Sequence, residues 1–155
     1  MKQKVQIKNK LYDFCIHQIQ NKLNVVNDVI NSAQNSANAE TKSTAGDKHD
    51  TARAMAHLET EKNAKQLAEI NKLKKVLPYL KNTKNKILNN VQLGSIVETN
   101  SINYYISSNL GKTTINQKDF LTISPLSPIA KLLKDKKQND VFNFNQQTVK
   151  IIAVY

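Results

Sequence analysis

Residues 12–37, YDFCIHQIQNKLNVVNDVINSAQNSA, decide the fold. Apolar and small side chains fall at Tyr12, Ile16, Ile19, Leu23, Val26, Ile30, Ala33 and Ala37, in steps that alternate between four and three. A period of about 3.5 residues is the seam of a coiled coil. The seam tapers, because Ile, Leu and Val give way to Ala33 and Ala37. Small seam residues let a partner helix come close, which predicts a helical pair thinnest toward its far end.

The partner follows in the same chain. Beyond the polar stretch NAETKSTAGDKHD, a second helical pattern places Met55, Leu58, Leu67, Ile70, Leu73, Leu77 and Leu80 at its apolar positions and is expected to stop near Pro78. Two such patterns joined by a short polar connection predict a long antiparallel coiled-coil hairpin over 1–80, with its tip at about 39–51. Helices of some 28 to 30 residues would reach roughly 40 to 45 Å at about 1.5 Å per residue. The remaining chain is too short to cover that length, so most of the hairpin is expected to project into solvent or a partner.

Residues 81–90, KNTKNKILNN, are a polar linker, and the texture then changes. GSIVET, INYYISS, DFLTIS, DVFNF and TVKIIAVY are short, rich in β-branched and aromatic residues, and separated by Asn, Gly and Gln turns. Between them, SPLSPIAKLLKDKK offers Ser127 as a cap and Pro128 at the first helical position, with Ile129, Leu132 and Leu133 facing inward. Residues 91–155 therefore form a small α+β domain with one short helix, and the chain as a whole is α+β.

Basic residues outnumber acidic ones by 23 to 12, which draws the molecule toward nucleic acid or another acidic surface. The excess looks evenly shared, with 13 basic against 8 acidic residues in 1–80 and 10 against 4 in 81–155. The single Cys15 excludes a disulfide framework and a zinc ribbon. With no apolar leader and no apolar run approaching about 18 residues, the expectation is a cytoplasmic protein with no membrane association.

Asp47 and Asp50 stand three residues apart after Gly46, at the start of the second helical pattern. Asp47 suits a helix cap and Asp50 the positive end of the helix dipole. The same pair could share a divalent cation through oxygen ligands, but two ligands are too few, so a partner would have to complete the site. Gly111-Lys112-Thr113 imitates the end of a phosphate-binding loop, yet Ile106 occupies the first glycine position, and the segment reads as a turn between strands. His17, His49 and His57 lack metal spacing with Cys15. Tyr104 and Tyr105, adjacent on a strand, point to opposite faces, so one is assigned to the core and no aromatic platform is expected.

Gly46-Asp47-Lys48-His49-Asp50-Thr51-Ala52-Arg53-Ala54 resembles the tip pattern Gly-Asp-x-x-Glu-Asn-Ala-Glu-Tyr of the Gre transcript-cleavage factors of bacterial RNA polymerase. The stretch Ile123-Ser124-Pro125-Leu126-Ser127-Pro128-Ile129-Ala130, followed by Leu132, Leu133, Lys136 and Asp140, resembles the signature of that family's FKBP-like domain, and VKIIAVY resembles its closing strand. The likeness covers nearly the whole chain in order. It implies transcription elongation, RNA polymerase binding in the secondary channel and DNA binding, by a monomer with no nuclease activity of its own. It further implies that Asp47 and Asp50 hold a Mg²⁺ jointly with the polymerase and promote cleavage of the nascent RNA 3′ end in backtracked complexes. Lys42, Lys48, His49 and Arg53 would meet RNA phosphates, and Ser127, Pro128, Ile129 and Ala130 would grip the channel rim.

The tip departs from the pattern. Asp50 is one methylene shorter than glutamate, Thr51 and Arg53 replace Asn and Glu, and Ala54 replaces an aromatic residue. A second expectation is therefore a regulator that occupies the channel without chemistry. A prolyl isomerase or chaperone built on the C-terminal domain, and a plain coiled-coil adaptor, are further alternatives.

Overall fold

The computed structural model describes residues 1–40 and 46–155, with side chains described outside 36–50. Two long helices, α1 (Lys2–Glu40) and α2 (Gly46–Thr83), precede six strands and one short helix. The strands are β1 (Ile96–Thr99), β2 (Asn103–Ile106), β3 (Gly111–Ile115), β4 (Lys118–Ile123), β5 (Val141–Phe144) and β6 (Gln147–Val154), with α3 (Pro128–Leu133) between β4 and β5. The chain is thus α+β, as expected. Among the described residues, no helix is long and apolar enough to cross a membrane.

Both long helices exceed their sequence patterns. At 39 and 38 residues they each extend about 57 Å. α1 begins ten residues before Tyr12, where Ile7 and Leu11 are buried among lysines and amides. α2 runs through Pro78 to Thr83 instead of stopping. Proline cannot donate to the carbonyl four residues earlier, but the helix resumes around the buried Leu80 and ends on Thr83, whose hydroxyl bonds back to the Tyr79 and Leu80 carbonyls. A β-carbon on Gly94, whose φ is +89°, would collide with Thr83 Oγ1, so this close approach requires glycine.

The chain divides into two compact units, one of Met1–Gln18 with Lys75–Tyr155 and one of Ile19–Lys74. In the second unit the helices pair antiparallel, with Ile30, Ala33 and Gln34 facing Ala56, Thr60 and Asn63 across a small cleft. Val26, Asn63 and Ile70 are buried, with Leu23 and Leu67 half-buried. Three expected seam residues lie outside it. Ile16 is 38% exposed because Cys15 takes the inward position, and Met55 and Leu58 are 66% and 64% exposed because Ala52 and Ala56 lie closer to the seam.

In the first unit the sheet order is β3-β4-β2-β1-β6-β5, all antiparallel except β2 with β4. Two-residue turns at Asn116-Gln117 and Asn145-Gln146, all four at positive φ, close the β3–β4 and β5–β6 hairpins. One sheet face packs with α3 through Val97, Tyr104, Ile106, Ile151 and Leu133. The other meets the helix bases. Cys15 Sγ lies 3.7 Å from Ser107 Oγ, and Lys4 Nζ sits 5.1 Å from the Tyr155 ring centre. Tyr104 and Tyr105 are thus both core, one on each face, where the sequence assigned only one. The Tyr105 hydroxyl has no hydrogen-bond partner among the described residues.

Lys8 is fully buried at this junction and donates to the Lys86 carbonyl at 2.7 Å. Burial lowers its pKa from the ordinary 10.5 to about 8. Between those values the unfolded chain binds the proton and the folded one does not, so Lys8 makes stability rise with pH across that window. Cys15 acts oppositely, because burial, partly offset by the Ser107 hydrogen bond, raises its thiol from 9.0 to about 11. Its contribution is full below about 9 and is lost toward 11. Urea midpoints of the parent and Lys8→Met proteins should therefore move relative to each other between pH 7.5 and 10, with the parent gaining. A difference that stays constant with pH would reject the titration of Lys8.

Candidate functional site

The acidic motif lies at the start of α2. Because the helix already includes Gly46, Asp47 is its second residue and stands inside the first turn, not at the cap position expected from sequence. Asp47 and Asp50 are three apart on a helix and so share a side. Carboxylates there interact favourably with the free N–H groups and the positive end of the helix dipole. The side chains of Asp47, Lys48, His49 and Asp50, and all of Lys42, lie outside the described residues. Arg53, the one arginine of the chain, is exposed on the following turn. Met55 and Leu58 follow it along α2, and both are exposed.

Two carboxylates are hard oxygen donors of the kind Mg²⁺ takes, and Mg²⁺ commonly keeps most of its remaining positions for water and a partner's oxygens. Asp47 and Asp50 fit that class of ion as a partial set. Among the described residues, no group of three His, Cys, Asp or Glu is placed to hold a metal. His57 lies 3.4 Å from Glu61 on the same helix, and His17 is exposed.

The second motif builds α3. Ser127 caps it: its hydroxyl accepts from the Ala130 N–H at 3.4 Å and donates to the Ser124 carbonyl at 2.8 Å. Pro128 occupies the first turn, where its missing N–H costs nothing. Ile129 and Ala130 are only 8% and 5% exposed and belong to the core. Of the four residues expected to dock, these two therefore offer little surface, while Ser127 is half-buried and Pro128 exposed. Leu132 is corrected in the opposite direction: it is 42% exposed, because the inward face of so short a helix is filled by Ile129, Ala130 and Leu133. The surface actually offered here consists of Pro125, Leu126, Pro128 and Leu132.

Two other motifs resolve structurally. Gly111–Ile115 is edge strand β3 and not a turn, and Lys112 pairs with Asp119 at 2.8 Å. A cleft beside α3, bounded by Val91, Ile106, Pro125, Ala130, Lys134 and Asp135, has no aromatic side chain in its lining. Cys15 is buried with its pKa raised, which holds it as the thiol and not as a nucleophilic thiolate.

Compared with protein-family models and with curated proteins, the chain has no match. Among solved structures it is similar to the crystal structure of Thermus aquaticus Gfh1, at 18% sequence identity, covering 93% of each chain, with a TM-score of 0.33.

The reassigned α3 residues separate stability from docking. Ile129→Ala should lower folding stability by about 2–4 kcal/mol, as large-to-small core substitutions do. Leu126→Ala, at a site 78% exposed, should change it by less than about 0.5 kcal/mol. Urea unfolding measures both, and equal effects would contradict the placement of Ile129 in the core.

Proposed function

We propose that this chain is a Gre-type transcription elongation factor whose helical pair enters the secondary channel of RNA polymerase and stimulates transcript cleavage in backtracked complexes. One observation carries the reading. The acidic motif Gly46-Asp47-x-x-Asp50 falls at the turn end of two paired helices, and the Ile123–Ala130 motif falls at the N-cap of α3 in the sheet domain. The elements on which the two motifs lie, and their order along the chain, support this reading.

In this reading α2 supplies position and charge. Its first turn holds Asp47 and Asp50 on one side and at the end of a long rigid element, so that the tip can deliver both carboxylates to a centre the partner completes. The Mg²⁺ held between them and the polymerase would supply a Lewis acid that lowers the pKa of water to a useful range. The chain's own carboxylates orient and bind, and the basic residues Lys42, Lys48, His49 and Arg53 offset RNA phosphate charge. Pro125, Leu126, Pro128 and Leu132 serve as the docking surface on the sheet domain. Alone, the protein has no nuclease activity, since two carboxylates do not complete a hydrolytic site.

A second reading, occupancy of the channel without chemistry, is favoured by one specific feature: Asp50 reaches one methylene less than a glutamate would. Cleavage of backtracked complexes with Mg²⁺ distinguishes the two. Under the first reading the chain accelerates cleavage, Asp47→Ala with Asp50→Ala abolishes the stimulation, and Asp50→Glu raises it severalfold. Under the second, the parent protein inhibits nucleotide addition and competes with an authentic cleavage factor, and the double variant behaves like the parent.

A further inference from the structure

We infer that the end of the first unit where the start of α1 meets the end of α2 is a sequence-independent docking surface for the phosphate backbone of duplex nucleic acid. The primary observation is how folding sorts charge. Residues Met1–Gln18 and Lys75–Tyr155 hold 15 lysines against 5 carboxylates, and Ile19–Lys74 holds 8 basic against 7 acidic residues. The first unit is therefore +10 and the second +1, which together make the +11 of the chain. An excess that looks uniform along the sequence belongs almost wholly to one body.

Within that body the helix bases concentrate it further. Lys8 bonds to the carbonyl of Lys86 at 2.7 Å, Asn9 Nδ2 to Asn85 Oδ1 at 3.0 Å, and Lys84 Nζ lies 4.8 Å from the Tyr12 ring centre. These contacts bring the α1 segment that carries Lys2, Lys4 and Lys10 against the chain segment that carries Lys81, Lys84 and Lys86, with Lys4 over the Tyr155 ring and Lys10 donating to Asn116 Oδ1 at 3.3 Å. Asp13 is the one carboxylate in those two segments. The ion pairs of the first unit, Lys112–Asp119 and Lys118–Glu98, involve none of the six. On α3 and its following loop, by contrast, Asp135 and Asp140 interrupt the lysines.

The chemistry of the surface selects the partner. Lysines interspersed with Asn and Gln are the groups that contact phosphate oxygens and set register without reading bases. Arginine, which reads guanine bidentately, is absent from this unit. Tyr104, Tyr105, Tyr155 and Phe120 are buried and Tyr79, 43% exposed on α2, is the one exposed aromatic side chain of the unit, so there is no row of aromatics for the successive stacking that single strands use. A protein partner would prefer apolar anchors and few lysines at the core of its interface.

The test uses the free full chain without polymerase, so its outcome is independent of the reading given above. Fluorescence anisotropy is followed with a labelled mixed-sequence DNA duplex between about 50 and 200 mM salt, where five or so phosphate contacts give a slope of log K against log salt of about −4 to −5. A scrambled duplex should bind equally and the single strand more weakly. Lys10→Glu, Lys81→Glu and Lys86→Glu together should weaken binding at least tenfold and flatten the slope by about 3. Lys62→Glu, Lys65→Glu and Lys72→Glu, the same charge change in the other unit, should cost less than threefold. If the first triple variant loses its helical circular dichroism, its Lys→Gln counterpart must show the same change in slope. No binding at low salt, equal losses in the two triple variants, or tighter binding of polyglutamate than of the duplex would each overturn the proposal.

Discussion

The sheet has two apolar faces, and α3 is long enough to cover only one of them. Everything else in the first unit follows from that shortage. Ile96, Tyr105 and Tyr155 are fully buried yet lie outside the cluster packed with α3, so another element must exclude water from them. That element is the base of the helical pair, through Leu11, Cys15 and Leu80. At about 25 cal/mol per Å² of apolar surface, leaving such a face wet would cost more than a small sheet domain has to spare. The first residues of the chain and the last residues of α2 therefore fold with the sheet.

The same junction accepts groups that a core usually refuses. Lys8 is tolerated because its ammonium meets a backbone carbonyl and its stem covers apolar surface, although no carboxylate accompanies it. Tyr155 is tolerated because its phenol donates to Glu98 at 2.6 Å, while Glu98 also holds Lys118. Burial and the neighbouring Glu98 raise that phenol's pKa and keep it protonated as a donor. Apart from the Tyr105 hydroxyl, which has no partner among the described residues, polar groups at this face are satisfied singly, whereas the face against α3 is built almost entirely from aliphatic and aromatic side chains.

Charge divides along different lines from the core. The acidic motif sits at the turn end of the helical pair, where the unit around it is nearly neutral. The excess positive charge sits in the other unit. The capping serine of α3 fixes Pro128 and Leu126 outward and Ile129 inward. One short motif thereby provides both a core anchor and an exposed apolar ridge.

What the sequence determined by itself was the order and kind of the elements. The 3.5-residue steps from Ile19 to Ala33, the Ser127-Pro128 helix start and the β-branched runs of β1, β2, β4, β5 and β6 are local signals, and local propensity was enough to place them. Tertiary structure alone decided which faces those elements bury. Ile7 and Leu11 lie among lysines and amides, and only the sheet makes them core. Met55 and Leu58 are apolar by composition, and only the position of α1 leaves them outside. Strand β3 is polar and exists because β4 offers it a hydrogen-bonding edge. The concentration of charge was equally invisible, since residues 1–18 and 75–155 are separated in the chain and are brought together only by the face that α3 could not cover.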